Sequence, residues 1–330
     1  MADLQLLTNS RRNCFNDCRK MYYFQYELGY RARKVNDALR FGSLFHGVLE
    51  HLWLMDLEAS LYWLSQQTET DYNVYEKELA KQLLLGYDRK WGEEDDLLKE
   101  FAIPEKEFRA PLINPATMAE SKTFTLAGKI DVILPPQKRF VEHKTTSDDI
   151  SVESDYWLNL TIDGQVSGYF AGAEAEGHES NDCLYDVIRK PGLRPLQATP
   201  VENRKYKKDG LLYANQRETD ETVEEYGNRL AEEIALNPDR YYARRLITRL
   251  EDDMLDYYTD MWGFARELRE NQLANRWPRN PRECQRFGRC PFFGVCTKTE
   301  SIDDTNLFVK LENVDCELPS AKKEKETVTA

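Results

Sequence analysis

No apolar run in this chain approaches the ~20 residues needed to cross a bilayer. The opening stretch, MADLQLLTNSRRN, lacks the basic-then-apolar order of a secretory signal, so the chain is expected in a cytoplasm, away from membranes. Positive charge is in deficit. Forty-five Lys and Arg face 58 Asp and Glu, a net charge of −13, which excludes a protein that coats nucleic acid with a uniformly basic surface. It leaves room for a local basic channel beside an acidic site. No G-x4-G-K-[ST] loop is present, so the chain carries no P-loop motor. Internal repeats are absent as well. What remains is an ordinary soluble composition, 41% hydrophobic and 31% charged over 330 residues. That length suits two domains or one elaborated α/β domain.

Seven cysteines, an odd number, make poor material for a disulfide scaffold in a reducing compartment. Cys183 and Cys316 read as small buried apolar residues. Three others share one loop, CQRFGRCPFFGVC, as Cys284-x5-Cys290-x5-Cys296. A four-thiolate site would take its last ligand from Cys14 or Cys18. Zinc and an iron–sulfur cluster both accept four thiolates. The close C-x2–4-C knuckles usual for zinc are missing, and x5 spacing lets each thiolate reach a separate corner of something larger than one ion.

The pattern along the chain predicts an aromatic-rich helix over 10–29, and a second helix over 37–54 with Phe41, Leu44, Phe45, Val48, Leu49 and Leu52 at helical spacing. Two further helices are expected over 56–67 and 74–91, ended by GEEDD and Pro104. From Phe124 the period changes to a β-hairpin, FTLAGKIDVIL and RFVEHKTT, around a Pro-rich turn. A helix over 157–175, a strand over 184–189, a helix near 219–235, a strand in YYARRLITR and a helix over 250–273 follow. The order predicts a mixed sheet flanked by helices, with an N-terminal helical portion. The divisions expected are a helical region (1–110), a core (111–275), a Cys-rich loop (276–300) and a charged, partly disordered tail (301–330).

The hairpin carries the sharpest chemistry. Residues two apart on a strand share a face, so Glu142 and Lys144 point together while His143 points away. Asp131, on the partner strand, brings a second carboxylate beside Glu142. Two close carboxylates repel, and a hard divalent cation, Mg²⁺ or Mn²⁺, relieves the repulsion. A neighbouring Lys can position water or counter charge on a phosphate. By itself D-x10-E-x-K also describes a solvated hairpin face with ordinary ion pairs.

His46, inside FGSLFHGVLE, reads either as a core-edge histidine or as a further ligand, with Glu50 one turn on able to orient it or support the metal. Gln165 and Tyr169 lie i,i+4 on one helix face. They read as half-buried packing or as groups that bond a phosphate and stack on a base. Two basic islands stand out: Arg189, Lys190, Arg194, Arg204, Lys205, Lys207 and Lys208 against one Glu over 189–208, and five Arg against one Glu over 276–290. Tyr206 and Trp277 lie within them, which suits a groove that tracks a nucleic-acid backbone.

Together these pieces resemble the PD-(D/E)XK nuclease superfamily, and within it the RecB-like and Cas4-like iron–sulfur branch with its standalone phage versions. The resemblance runs from about Ser10 to Cys296: Cys18-Arg-Lys-Met-Tyr-Tyr-Phe, His46 in its helix, Gly128 to Asp131, Glu142-x-Lys144, Gln165-x3-Tyr169, and the Cys triplet after RWPRN. It implies a restriction-endonuclease-like fold and a metal-dependent DNA exonuclease of recombination or repair. His46, Asp131 and Glu142 would bind Mg²⁺ or Mn²⁺, and Lys144 would be catalytic. Gln165, Tyr169, Arg189 and Lys190 would hold DNA. Cys18, Cys284, Cys290 and Cys296 would ligate a structural [4Fe–4S] cluster that clasps the C-terminal end to the first helix. Helicase or recombination proteins would be separate partners, in a bacterial host cytoplasm for a phage protein. Two positions depart from the pattern: Arg19 where Pro is common, and His143 where an apolar residue is common. Two other readings stay open: a non-catalytic iron–sulfur DNA-binding or assembly subunit, and a zinc-stapled binding protein.

Overall fold

The structure is a computed structural model that describes residues 4–34, 37–286, 288–315 and 318. A short strand β1 (Gln5–Leu7) leads into helix α1 (Asn9–Asp17), capped by the Thr8 hydroxyl, which accepts from the Arg11 N–H. The expected single helix over 10–29 is broken at Cys18, whose backbone is extended (φ −159°, ψ 111°). Helix α2 (Arg19–Tyr22) then passes into a π-helical turn (Tyr23–Glu27) and strand β2 (Tyr30–Ala32). The break lets Phe15 and Tyr22 both turn inward, where their rings meet edge to face at 5.3 Å.

Helices α3 (Asp37–Leu54), α4 (Leu57–Gln66) and α5 (Val74–Lys99) follow. GEEDD does not end α5, because Asp95 within it is buried and finds a charged partner across the core. Strand β3 (Ile103–Ile113) had no clear signal, since Pro104, Pro111 and alternating charges disguise it. Then come β4 (Glu120–Leu134), β5 (Arg139–Thr146), α6 (Gly164–Ala175) and β6 (Asp182–Arg189). The expected helix over 157–175 is split: a 3-10 turn (Leu158–Ile162) precedes α6, whose cap is Asp163. The chain continues through α7 (Val223–Leu236), α8 (Pro238–Tyr241), β7 (Tyr242–Ile247), α9 (Glu251–Ala274), α10 (Phe293–Thr297) and β8 (Phe308–Lys310).

The main sheet is mixed, ordered β1-β4-β5-β6-β7, with β3 pairing β4 beside this path. β1 lies parallel to β4 and β5 parallel to β6, while β3–β4, β4–β5 and β6–β7 are antiparallel. One face packs against α1, α6 and α9 through Phe15, Phe108, Phe140, Val166, Val187 and Phe264. The other packs against α3, α5 and α7 through Phe45, Leu49, Leu84, Ile188, Ile234 and Tyr242. α6 sits so close to β3 that a Cβ on Gly172 would lie 2.4 Å from the Phe108 ring.

Residues beyond the Cys-rich loop are woven back into the body. β8 pairs antiparallel with β2. Asp315 takes a bidentate ion pair from Arg11 (2.6 and 2.8 Å), both side chains being buried, and the Arg11 guanidinium also donates to the Tyr22 hydroxyl at 3.1 Å. Cys316 and the expected disordered tail, SAKKEKETVTA, lie outside the described residues. Removing one member of such a pair strands the other charge in the core. Asp315→Ala is therefore expected to lower the free energy of unfolding by ~3–5 kcal/mol, read from urea denaturation; a loss under ~1 kcal/mol would mark the pair as solvated.

Candidate active site

The β4–β5 ladder runs Leu134↔Arg139, Ile133↔Phe140 and Val132↔Val141. Continued one residue, that register sets Asp131 opposite Glu142. There the ladder gives way: Asp131 Oδ2 accepts the His143 backbone N–H at 2.8 Å, a side chain doing what a backbone carbonyl would do. This holds Asp131 against the mouth of the hairpin. α3 brings His46 to it, Nδ1 to Oδ1 at 3.6 Å. On β5, Lys144 ion-pairs with Glu142 on the same face and donates to Gln165 Oε1 at 3.0 Å. Gln165 in turn donates to the Tyr169 hydroxyl at 2.6 Å, and Tyr169 is wedged edge-on between Phe108 and Phe140.

His46, Asp131, Glu142, Lys144, Gln165 and Tyr169 line one cleft of about 380 Å³. Arg189 and Lys190 do not line it. Arg189 pairs with Asp149 at 3.2 Å, and the Lys190 ammonium lies 5.2 Å from the centre of the Phe41 ring. Glu50 stands within electrostatic reach of the Glu105–Lys129 ion pair. Lys129 and the start of α1 (Thr8 to Ser10) also line the cleft and were missed. Lys129 had a signal, because it lies two residues from Asp131 on one strand.

Burial dominates the electrostatics. It pushes the Glu142 carboxyl upward against the pull of Lys144, and the nearby Asp131 charge pushes it further. Burial acts the same way on Asp131, but His46, then His143 and Lys144, hold that carboxyl below its ordinary range. The two carboxyls are driven apart, one kept ionised and one biased toward the acid. Glu142 is 1% exposed, and its Oε2 has no hydrogen-bond partner.

Behind the site, on the opposite side of β5, His143 Nδ1 lies 3.2 Å from Asp186 Oδ2. Asp186 also accepts from Tyr87 (2.6 Å) and Arg244 (3.2 Å), and Arg244 forks onto Asp95. His143 thus belongs to a buried network that fixes β5 to β6, β7 and α5. Local sequence carried no sign of it, since Asp186 lies 43 residues from His143 and Arg244 lies 149 from Asp95.

Among the described residues, no three His, Cys, Asp or Glu side chains stand as a group that could hold a metal ion. In this arrangement Lys144 occupies Glu142, and His46 occupies Asp131. The donor set nonetheless suits a hard divalent cation, with two carboxylates, an imidazole and an unpartnered buried oxygen in one cleft.

Among the described residues, Cys18, Cys284, Cys290 and Cys296 are not gathered into a group that could hold a metal ion. The loop meets the first helices through hydrogen bonds: Lys20 N–H to the Pro278 carbonyl, the Asn280 side chain to the Asp17 carbonyl, and the Asn280 N–H to the Cys18 sulfur at 3.4 Å. Cys290 and Cys296 rest against Phe24, Phe292 and Phe308. Burial raises both thiols, and nearby sulfurs, Cys18 among them, raise them further. Cys14 is buried and its thiol donates to Gln25 Oε1; burial pushes it up to about 12. Cys183 is fully buried, as expected.

A family model for the PD-(D/E)XK nuclease superfamily matches residues 7–297. The chain belongs to this superfamily. The match takes in every element of the sheet except β1, whose first two residues precede it, and the cleft with it. No curated protein matches the chain. Among solved structures, a phage-related exonuclease from Haemophilus somnus 129PT is 12% identical, with 70% of this chain and 94% of that one covered and a TM-score of 0.28. A protein named SSO0001 is 18% identical over 51% and 67%, with a TM-score of 0.21. At such scores neither neighbour adds to the family match. The mixed, helix-flanked sheet is consistent with the restriction-endonuclease-like fold expected of a PD-(D/E)XK nuclease.

In this nuclease the network behind the site also sets a pH response. Burial works against the Asp186 carboxylate, yet Arg244, His143 and Tyr87 hold its pKa down to about 2. A depressed carboxyl stabilises the fold above its unfolded value and loses that stabilisation as pH falls toward the folded one. Between about pH 4 and 2, Asp186→Asn should therefore lose stability less steeply than the parent, as read from urea midpoints. Parallel slopes would remove Asp186 from the account.

Proposed function

We propose that this chain is a divalent-metal-dependent deoxyribonuclease of exonuclease type, acting in recombination or repair. The observation that carries the reading is Glu142, a fully buried carboxyl with an unpartnered oxygen, set beside Asp131, His46 and Lys144 in an open cleft. Such an arrangement lowers stability and returns nothing to a module that only binds or assembles. Family membership supplies the chemistry that uses it.

His46, Asp131 and Glu142 would hold Mg²⁺ or Mn²⁺. The bound ion supplies Lewis-acid polarisation of the phosphodiester. The chain's own groups do the rest. Asp131 stays ionised through His46 and the His143 N–H. Lys144, aimed by Gln165, offers an ammonium that orients the attacking water and offsets charge developing on the phosphoryl oxygens. Tyr169, locked between two Phe rings, fixes the Gln165 amide and so the reach of Lys144.

Purified protein should degrade labelled DNA with Mg²⁺ or Mn²⁺ and stop with EDTA. Asp131→Asn, Glu142→Gln and Lys144→Met should each lower the rate by on the order of 10²–10³ while binding DNA with EDTA present. Variants as active as the parent would remove these residues from catalysis.

A second part of the proposal concerns Cys18, Cys284, Cys290 and Cys296. Their support as [4Fe–4S] ligands is a soft four-thiolate donor set whose sulfurs lie within electrostatic reach of one another. Protein purified without oxygen should be brown and carry ~4 iron and as much labile sulfide. Cys290→Ser should bleach it and lower its thermal midpoint. A colourless parent with zinc or no metal would reject the cluster.

A further inference from the structure

Between β6 and α7 the chain leaves the sheet and forms an arm. Its first root leaves β6 next to β5, the strand that carries Glu142 and Lys144. β6 runs parallel to β5 and ends with Arg189 beside Thr146, two residues beyond Lys144. The Thr145 hydroxyl faces Gly42 at the start of α3, Arg40 there pairs with Glu76 at the start of α5, and Tyr75 next to it donates to the carbonyl of Glu221, where the arm returns. Glu221 itself is buried and ion-paired to Arg229 of α7.

The arm is ordered by hydrogen bonds with little packing. Thr199 N–H donates to the Arg217 carbonyl, Arg204 donates to the carbonyls of Thr199 and Glu218, and Gln216 links Lys205 N–H to the Asn203 carbonyl. Above this base Tyr206 bridges Leu212 in an antiparallel hairpin, and Gly210, at φ +83°, turns the tip in open space. That register puts Lys205 with Tyr213, and Lys207 with Leu211, on one face. The apolar groups at the tip are in water: Tyr206 is 53% exposed, Tyr213 49% and Leu211 63%. Among the described residues no ion pair engages Lys205, Lys207 or Lys208, whereas Arg217 is held by Glu225. The acids of the arm are Glu202, Asp209, Glu218 and Asp220; Asp209 is turned to the Leu211 N–H at the tip, and Asp220 accepts from the Ala198 N–H at the base.

An exposed hairpin with two tyrosines and three uncommitted ammonium groups, on a chain of net −13, is complementary to a polyanion with stackable rings. In a duplex the base faces are already covered by their neighbours, and only an unpaired strand offers them. We propose that the hairpin of residues 204–213 is a single-strand-binding arm that holds an unpaired DNA strand beside the cleft. The inference rests on the nuclease reading above and adds the form of DNA that is gripped. A strand wrapped over the tip sets its phosphates on Lys205, Lys207 and Lys208 and stacks bases on Tyr213 of one face and Tyr206 of the other, with Lys208 in the turn between them.

The test uses the full-length chain with EDTA and a fluorescein-labelled 30-nucleotide single strand, and a blunt duplex of the same sequence, read by anisotropy across a salt series. Replacing Tyr206 and Tyr213 with Ala should weaken single-strand binding by about tenfold per tyrosine and duplex binding far less. The triple variant Lys205→Gln, Lys207→Gln, Lys208→Gln should lower the salt slope for the single strand by about 2. Circular dichroism of each variant should match the parent. Single-strand binding unchanged in both variants overturns the arm, as does an equal loss for both DNAs or a parent that binds neither. A parent that grips single strands through the arm but fails to cut with Mg²⁺ or Mn²⁺ would keep the arm and reject the nuclease reading.

Discussion

The repulsion between Asp131 and Glu142 is the constraint around which this fold is arranged. Carboxyls at this depth cannot both stay charged without cations to face them. The structure answers with His46 on α3 for one and Lys144 for the other, and it spends the His143 backbone N–H on Asp131 as well. Each of these groups reaches the hairpin from a direction that a different packing decision fixes. α3 must pack on one face of the sheet, α6 must lie against β3 at glycine distance, and β5 must be pinned from behind.

That rear support is as polar as the site. Tyr87, Asp95, His143, Asp186 and Arg244 form one connected group in the layer between the sheet and α5. Aliphatic side chains of similar volume could fill the same layer at no loss of stability, as buried ion networks often show. Directional bonds do something an aliphatic layer cannot. They fix the strand that carries Glu142 and Lys144 against sliding along its neighbours, because a register shift of one residue would break several charged contacts at once.

Much of this was legible in the chain, and the pattern of what was not is physical. α3 and the hairpin were readable because their apolar spacing is local and strict. The shared face of Glu142 and Lys144 follows from strand geometry alone. β3 hid behind two prolines and charged residues that pair across to β4 and α6. The run of α5 through GEEDD looked like a stop, because the partner that makes Asp95 welcome in the core, Arg244, is 149 residues away. The break at Cys18 was equally hidden, since what bends the chain there is the return of the loop near Asn280. Cysteine spacing showed which thiols belong to one region without fixing how their sulfurs are turned.

The grip of Arg11 on Asp315 has a bearing on biosynthesis. α1, whose first turn walls the cleft, is held by a residue made 304 positions later, and β2 finds its partner strand only at 308–310. A ribosome-bound chain that has already translated the whole hairpin still lacks the counter-ion of its first helix. The cleft therefore closes late, and the nascent polypeptide passes most of its elongation without a finished wall around its acidic centre.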